Sequence, residues 1–198
     1  MSAGPFRILV VGTGGQGVLT ASRLLGEAAV RSGQEVVLGQ IHGMSQRGGS
    51  VQSTVIIGSG HGSFIEDGQA DVVLGVEPLE VLRARGKMSA NTSVVINLGR
   101  VVPYTLGLQG KSYPEMERLL NDIRAVAPRL TEVDGPAILR AVGVPRTLNI
   151  AMLGALAGLR ILPYDGATLW KAVEEFWPTR FREPNRRAFS LGREATAS

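Results

Sequence analysis

The chain has 198 residues, no cysteine, two histidines and a formal charge of +4. That is long enough for one large domain with a proper core, and it excludes disulfides, a catalytic thiol, a Cys-ligated zinc or iron–sulfur site held by this chain, and a histidine-rich metal centre. An apolar fraction of 44% and 26 glycines fit an α/β chain with many turns, and no apolar run reaches the ~18 residues of a membrane span.

Residues 1–4 carry no basic region followed by an apolar core, so no signal peptide is expected and a cytoplasmic location is. Residues 6–11 are apolar apart from Arg7 and rich in β-branched side chains, the pattern of a central strand of a parallel sheet buried on both faces. Gly12-Thr13-Gly14-Gly15-Gln16-Gly17 follows at once, and a helical pattern over about 17–32 places Val18, Leu19, Leu24, Leu25 and Ala28 on its apolar side. Gly12, Gly14 and Gly17 match Gly-x-Gly-x-x-Gly in its strand–turn–helix setting. On that reading Gly12 makes the tight turn, Gly14 lets a ligand approach the backbone, and Gly17 lets the helix lie close to the sheet. The free N–H groups at the helix start favour an anion. A packing role alone would also account for the glycines.

Dinucleotide binding further needs an acid at the end of the second strand. That strand is expected over 35–40, and Gln40 stands at its end. A glutamine reaches a ribose hydroxyl without the charge that strengthens the contact, which weakens the case for a nicotinamide or flavin.

The next stretch, Ile41-His42-Gly43-Met44-Ser45-Gln46-Arg47-Gly48-Gly49-Ser50, joins two strands and is too glycine-rich for a long crossover helix. Residues 51–57 are therefore expected to pair antiparallel, which would make a largely parallel sheet mixed. The loop gathers imidazole, hydroxyl, amide and guanidinium, and Arg47 among glycines suits a contact with an anion or a partner. A solvated connection is the plainer reading. His61 falls in a second polar loop, over 59–70.

A short strand over 71–75 leads to Glu77-Pro78 and a helix to about 85, with Glu77 favoured by the helix dipole. A strand over 93–97, an irregular stretch over 101–112, a helix over 114–127, a strand ending at 132–134 and a helix over 135–142 follow. Residues 147–159 are apolar all round, the pattern of a helix in the core or against another subunit. A last amphipathic helix is expected over 165–177, burying Leu169, Trp170, Val173 and Phe176. Residues 178–198 read as a basic tail, with Arg180, Arg182, Arg186, Arg187 and Arg193 and only Phe181, Phe189 and Leu191 to pack. Aromatic residues do not interleave those arginines at a reading face, so a protein partner or solvent is expected there rather than nucleic acid. With no repeat and no linker, residues 1–198 form one domain: an α/β, three-layer, Rossmann-like sandwich.

The glycine turn, the segment His42-Gly43-Met44-Ser45-Gln46-Arg47-Gly48-Gly49-Ser50-Val51, residues 70–80 and residues 185–192 together resemble the gamma-type subunit of 2-oxoacid:ferredoxin oxidoreductases, in the indolepyruvate branch. The family usually has an acid at the position of Gln40. The resemblance implies oxidative decarboxylation of an aryl 2-oxoacid with coenzyme A, giving an acyl-CoA, carbon dioxide and reduced ferredoxin. It implies a large partner subunit carrying thiamine diphosphate, Mg2+ and iron–sulfur clusters, because this chain has neither cysteines nor a Gly-Asp-Gly with a following Asn pair. Gly12, Thr13, Gly14, Gly15, Gln16, Gly17, His42, Ser45, Gln46, Arg47, Gly48 and Gly49 are then candidates for the active-site wall or coenzyme A channel; no residue is assigned as catalytic or as a metal ligand. Other readings are a free-standing NAD(P)- or ATP-dependent Rossmann enzyme, an adenylating enzyme with a Gly-x-Gly-Gly-x-Gly turn, and a scaffold subunit.

Overall fold

A computed structural model describes residues 4–42, 49–58, 62–102 and 112–197. Ser45, Gln46, Arg47, Gly48 and His61 lie outside the described residues, and of His42 only the backbone is described.

Six strands of the described residues form one sheet in the order β2-β3-β1-β4-β5-β6. They are β1 (Phe6–Thr13), β2 (Val36–His42), β3 (Ser50–Ile57), β4 (Val72–Gly75), β5 (Ser93–Asn97) and β6 (Arg129–Val133). β4, β5 and β6 run parallel to β1 in series. β3 is antiparallel to both β1 and β2, with Gly12 opposite Val51 and His42 opposite Val51. The sheet is thus mixed as expected, because the short link after β2 returns the chain alongside itself. β2 runs two residues past its expected end, so Gln40 lies within the strand and not at its terminus.

The helices are α1 (Val18–Arg31), α2 (Pro78–Arg83), α3 (Met116–Arg124), α4 (Gly135–Val142), α5 (Leu148–Gly158), α6 (Gly166–Phe176) and α7 (Arg182–Glu194). Alternation along β1 divides the core. Ile8 and Val10 join α1, α5, α6 and α7 on one face, while Leu9 and Val11 join α2 and α3 on the other. Three layers result. Two side chains expected inside are on the surface: Leu19 is 37% exposed, as is Phe176. They sit at the rim of the α1–α6 contact, and the Arg23 guanidinium stacks 5.1 Å from the Phe176 ring.

The largest correction concerns residues 178–198. They do not form a loose tail: a 3-10 turn over Thr179–Phe181 leads into α7, which buries Asn185, Ala188, Phe189 and Gly192. Glycines on both helices let the backbones of α5 and α7 touch. A Cβ on Gly154 would run into the Phe189 carbonyl, and one on Gly192 into the Ala151 carbonyl. Thr196 Oγ1 donates to Ala155 O at 2.7 Å. α5, buried from Asn149 to Ala157, is therefore covered within its own chain rather than by another subunit. Arg182, Arg186, Arg187 and Arg193 stay on the outer side, Arg182 paired with Glu174 at 2.6 Å.

Candidate functional site

β1, β4 and β5 end side by side, and β1 leads into α1 on one face of the sheet while β4 leads into α2 on the other. In open α/β sheets such a change of strand order leaves a crevice beyond the carboxyl ends of the strands. The glycine turn occupies it.

The turn is held by its own side chains. Gln16 Oε1 accepts from Thr13 N at 2.8 Å and from Thr13 Oγ1 at 2.9 Å. Gln16 N donates to Thr13 O at 3.1 Å, and Gly14 N donates to Gly49 O at 2.9 Å. That last bond ties the turn to the residue that follows the 43–48 segment. The N–H groups of residues 13, 14 and 16 are thus engaged within the protein. No side chain caps the first turn of α1, and it contains no acidic residue.

Gly17 does not act as expected. It is the N-cap of α1 at φ 80°, a left-handed conformation that favours glycine. A Cβ there would lie 2.7 Å from Asn149 Nδ2, so its missing side chain makes room for α5 rather than for the sheet. Gly17→Ala is expected to cost about 1–3 kcal/mol through φ strain and overlap. Asn149→Ala in the same chain should recover the overlap share only, and denaturant titration of the two single variants and the double variant checks this. If the double variant recovers nothing, the overlap is not the cause.

Sequence reasoning missed a second group at this edge. Asn97, at the end of β5, donates from Nδ2 to Val76 O at 2.8 Å, and its Oδ1 accepts from Gly99 N at 3.0 Å. Val76 itself is pinned to β1 through its N–H to Val11 O at 2.8 Å. Glu77 was read only as a helix-dipole residue. It is fully buried and caps α2, accepting from Glu80 N at 3.0 Å and from the Tyr113 hydroxyl at 2.6 Å. Burial raises the Glu77 carboxyl above its ordinary range, while the bonds from Tyr113, Glu80 N and Val101 N oppose the shift. Burial first, and then the Glu77 bond, push the Tyr113 phenol well above its usual value. Asn149 gave one legible signal, a lone amide in the otherwise apolar run 148–158.

A raised carboxyl pKa means that the folded chain holds this proton more tightly than the unfolded chain. The stability contributed by neutral Glu77 is complete below its ordinary value of 4.5 and is lost as pH rises through the raised value. Glu77→Gln removes that loss. The variant-minus-wild-type difference in unfolding free energy should therefore climb with pH across that window. A difference independent of pH would show that Glu77 does not titrate abnormally.

Comparison with known proteins decides the lineage. A family model described as pyruvate ferredoxin/flavodoxin oxidoreductase matches residues 7–195. The chain belongs to that family. It is 38% identical over 192 residues to the indolepyruvate oxidoreductase subunit IorB of Methanothermobacter thermautotrophicus, covering 97% of this chain and 98% of that protein. With IorB of Archaeoglobus fulgidus it shares 35% identity over 185 residues, 93% of this chain and 92% of the relative. Among solved structures, the gamma subunit of a keto/oxoacid ferredoxin oxidoreductase from Geobacter sulfurreducens superposes with a TM-score of 0.70 at 26% identity, covering 96% of this chain and 98% of that one. The resemblance drawn from the two glycine-rich motifs therefore holds over the whole domain, and the match to subunits of oxidoreductase complexes displaces a free-standing Rossmann enzyme.

Among the described residues, no group of three His, Cys, Asp or Glu side chains is placed to hold a metal ion, and no helix is long and apolar enough to cross a membrane.

Proposed function

We propose that this chain is the smaller, cofactor-free subunit of an indolepyruvate-type 2-oxoacid:ferredoxin oxidoreductase working in the cytoplasm. The complex converts an aryl 2-oxoacid, coenzyme A and oxidised ferredoxin to an aryl-acetyl-CoA, carbon dioxide and reduced ferredoxin, the reaction numbered EC 1.2.7.8. The supporting observation is the end-to-end likeness to two indolepyruvate oxidoreductase subunits. With no cysteine in the chain, thiolate ligands for iron–sulfur clusters have to come from elsewhere. Thiamine diphosphate with its Mg2+ and the clusters are accordingly assigned to a large partner subunit, where the thiamine supplies the carbanion chemistry. Ferredoxin docks on that assembly.

This chain's own part is to shape one wall of the site. The Gln16–Thr13 clasp and the Gly14–Gly49 bond set the glycine turn against the start of β3. In sequence the 43–48 segment joins β2 to β3 and contains Ser45, Gln46 and Arg47, whose guanidinium suits a carboxylate or phosphate. Co-expression with a tag on this chain is expected to recover a cysteine-rich large chain in fixed ratio. The complex should reduce ferredoxin with indolepyruvate only when coenzyme A is present, while the isolated chain should be colourless and inactive. Turnover by the pure chain, or reduction of a nicotinamide in place of ferredoxin, would overturn the reading.

A further inference from the structure

The two edges of the sheet are built differently. β6 is five residues long and carries Arg129 and Glu132, the latter paired with Arg124, and charges of this kind blunt an edge against further strands. β2, at the other edge, has seven residues and no Asp, Glu, Lys, Arg or Pro among them. Gly58 N donates to Glu35 O at 2.9 Å, in register with the β2–β3 pairing. That bond fixes the alternation: odd-numbered residues of β2 bond β3, and Val36 and Leu38 turn their N–H and C=O groups outward. No described residue bonds those outward groups. Apolar side chains flank them, with Leu38 43% exposed, Ile41 55% and, on α1, Val30 59%. An open, uncharged edge with apolar flanks is a template for another strand.

The helix beside this edge is complementary to a copy of itself. Leu19, Arg23, Gly26 and Val30 recur at helical spacing along one side of α1. Gly26 marks where that side faces, since a Cβ there would lie 3.2 Å from Leu38 and 3.4 Å from Val36. We infer that two copies of this chain pair β2 with β2 antiparallel about a two-fold axis beside Leu38, joining their sheets and packing α1 against α1. Neighbouring strands lie about 4.8 Å apart, and α1 rides over β2 and β3, so it stands roughly 5 Å from that axis. The two copies of α1 then run antiparallel about 10 Å apart, a normal helix-packing distance. With the axis passing beside Gly26, Arg23 of each copy faces Glu27 of the other, and Leu19 faces Val30. Arg23 enters none of the ion pairs among the described residues and stacks only on Phe176. Glu27 shares Arg31 with Glu175, which leaves its charge partly unanswered. The two-fold makes each contact twice, apolar against apolar and cation against anion. None of this rests on the proposed reaction.

The test uses the full-length chain alone. Sedimentation velocity is expected to show a reversible monomer–dimer equilibrium in the micromolar range. Amide hydrogen exchange of Val36 and Leu38 should slow by about tenfold or more as the dimer fills. Arg23→Glu and Glu27→Arg each set like charges across the axis twice, and each should weaken dimerisation by about fivefold or more. An equimolar mixture of those two variants sets unlike charges at both contacts, and should restore a dimer of mixed composition. A chain that stays monomeric at high micromolar concentration would overturn the inference. So would exchange of Val36 and Leu38 at one rate in monomer and dimer, or a mixture that associates no better than its components. Exchange is also measured on the co-expressed complex: protection of those two amides only when a large partner chain is bound assigns the edge to that chain instead. Exchange in the wild-type chain decides the matter even where a variant fails to fold. Failure to recover a large partner chain would count against the proposed complex and leave this result standing.

Discussion

Truncation after Trp177 is expected to leave no soluble, folded chain. α7 carries Ala188 and Phe189 into the core, with the Phe189 ring 5.4 Å from Trp170. It also covers α5, whose residues from Asn149 to Ala157 are all buried. Losing one buried phenylalanine side chain costs about 3–5 kcal/mol, and a whole domain has a net stability of only about 5–15 kcal/mol. Removing the entire helix and uncovering an all-apolar one exceeds that margin. A single substitution probes the same contact: Gly192→Val should destabilise by about 3 kcal/mol or more, because the atom it meets is the backbone oxygen of Ala151, which cannot turn aside as a side chain would. Circular dichroism and thermal melts of both proteins check this. A truncated chain that melts cooperatively near the wild-type temperature would mean that α7 is an accessory after all.

Arg47→Ala in the assembled enzyme is expected to raise the Michaelis constant for the 2-oxoacid or for coenzyme A by about tenfold to more than a hundredfold, the worth of a charge-assisted hydrogen bond of roughly 1.5–3 kcal/mol. Arg47→Lys should restore only part of that, since an ammonium cannot reproduce the planar two-pronged fork of a guanidinium. The two constants are measured beside the dissociation of the complex. Unchanged kinetics with weakened assembly would move Arg47 from the ligand to the subunit contact.

The sequence by itself determined the repeating elements and their lineage. The β-branched run ending in Gly12-Thr13-Gly14-Gly15-Gln16-Gly17 reads as a strand feeding a helix, and the glycine-rich link after β2 points to an antiparallel β3, because both features follow from local backbone chemistry. The two motifs together also carried the family, later matched over residues 7–195. Tertiary structure alone decided what covers the all-apolar helix. The arginines of α7 make residues 178–198 read as a basic tail facing a protein partner or solvent, yet its buried face is only Asn185, Ala188, Phe189 and Gly192, a pattern too sparse to see until Gly154 and Gly192 are found back to back. It likewise decided the surroundings of Glu77, Asn97 and Asn149. Glu77 and Asn97 bond residues up to 36 positions away, and Asn149 packs against Gly17 across the core. No local period encodes such contacts, because a side chain's hydrogen-bond needs show in the sequence while the distance to whatever meets them is set only when the strands and helices pack.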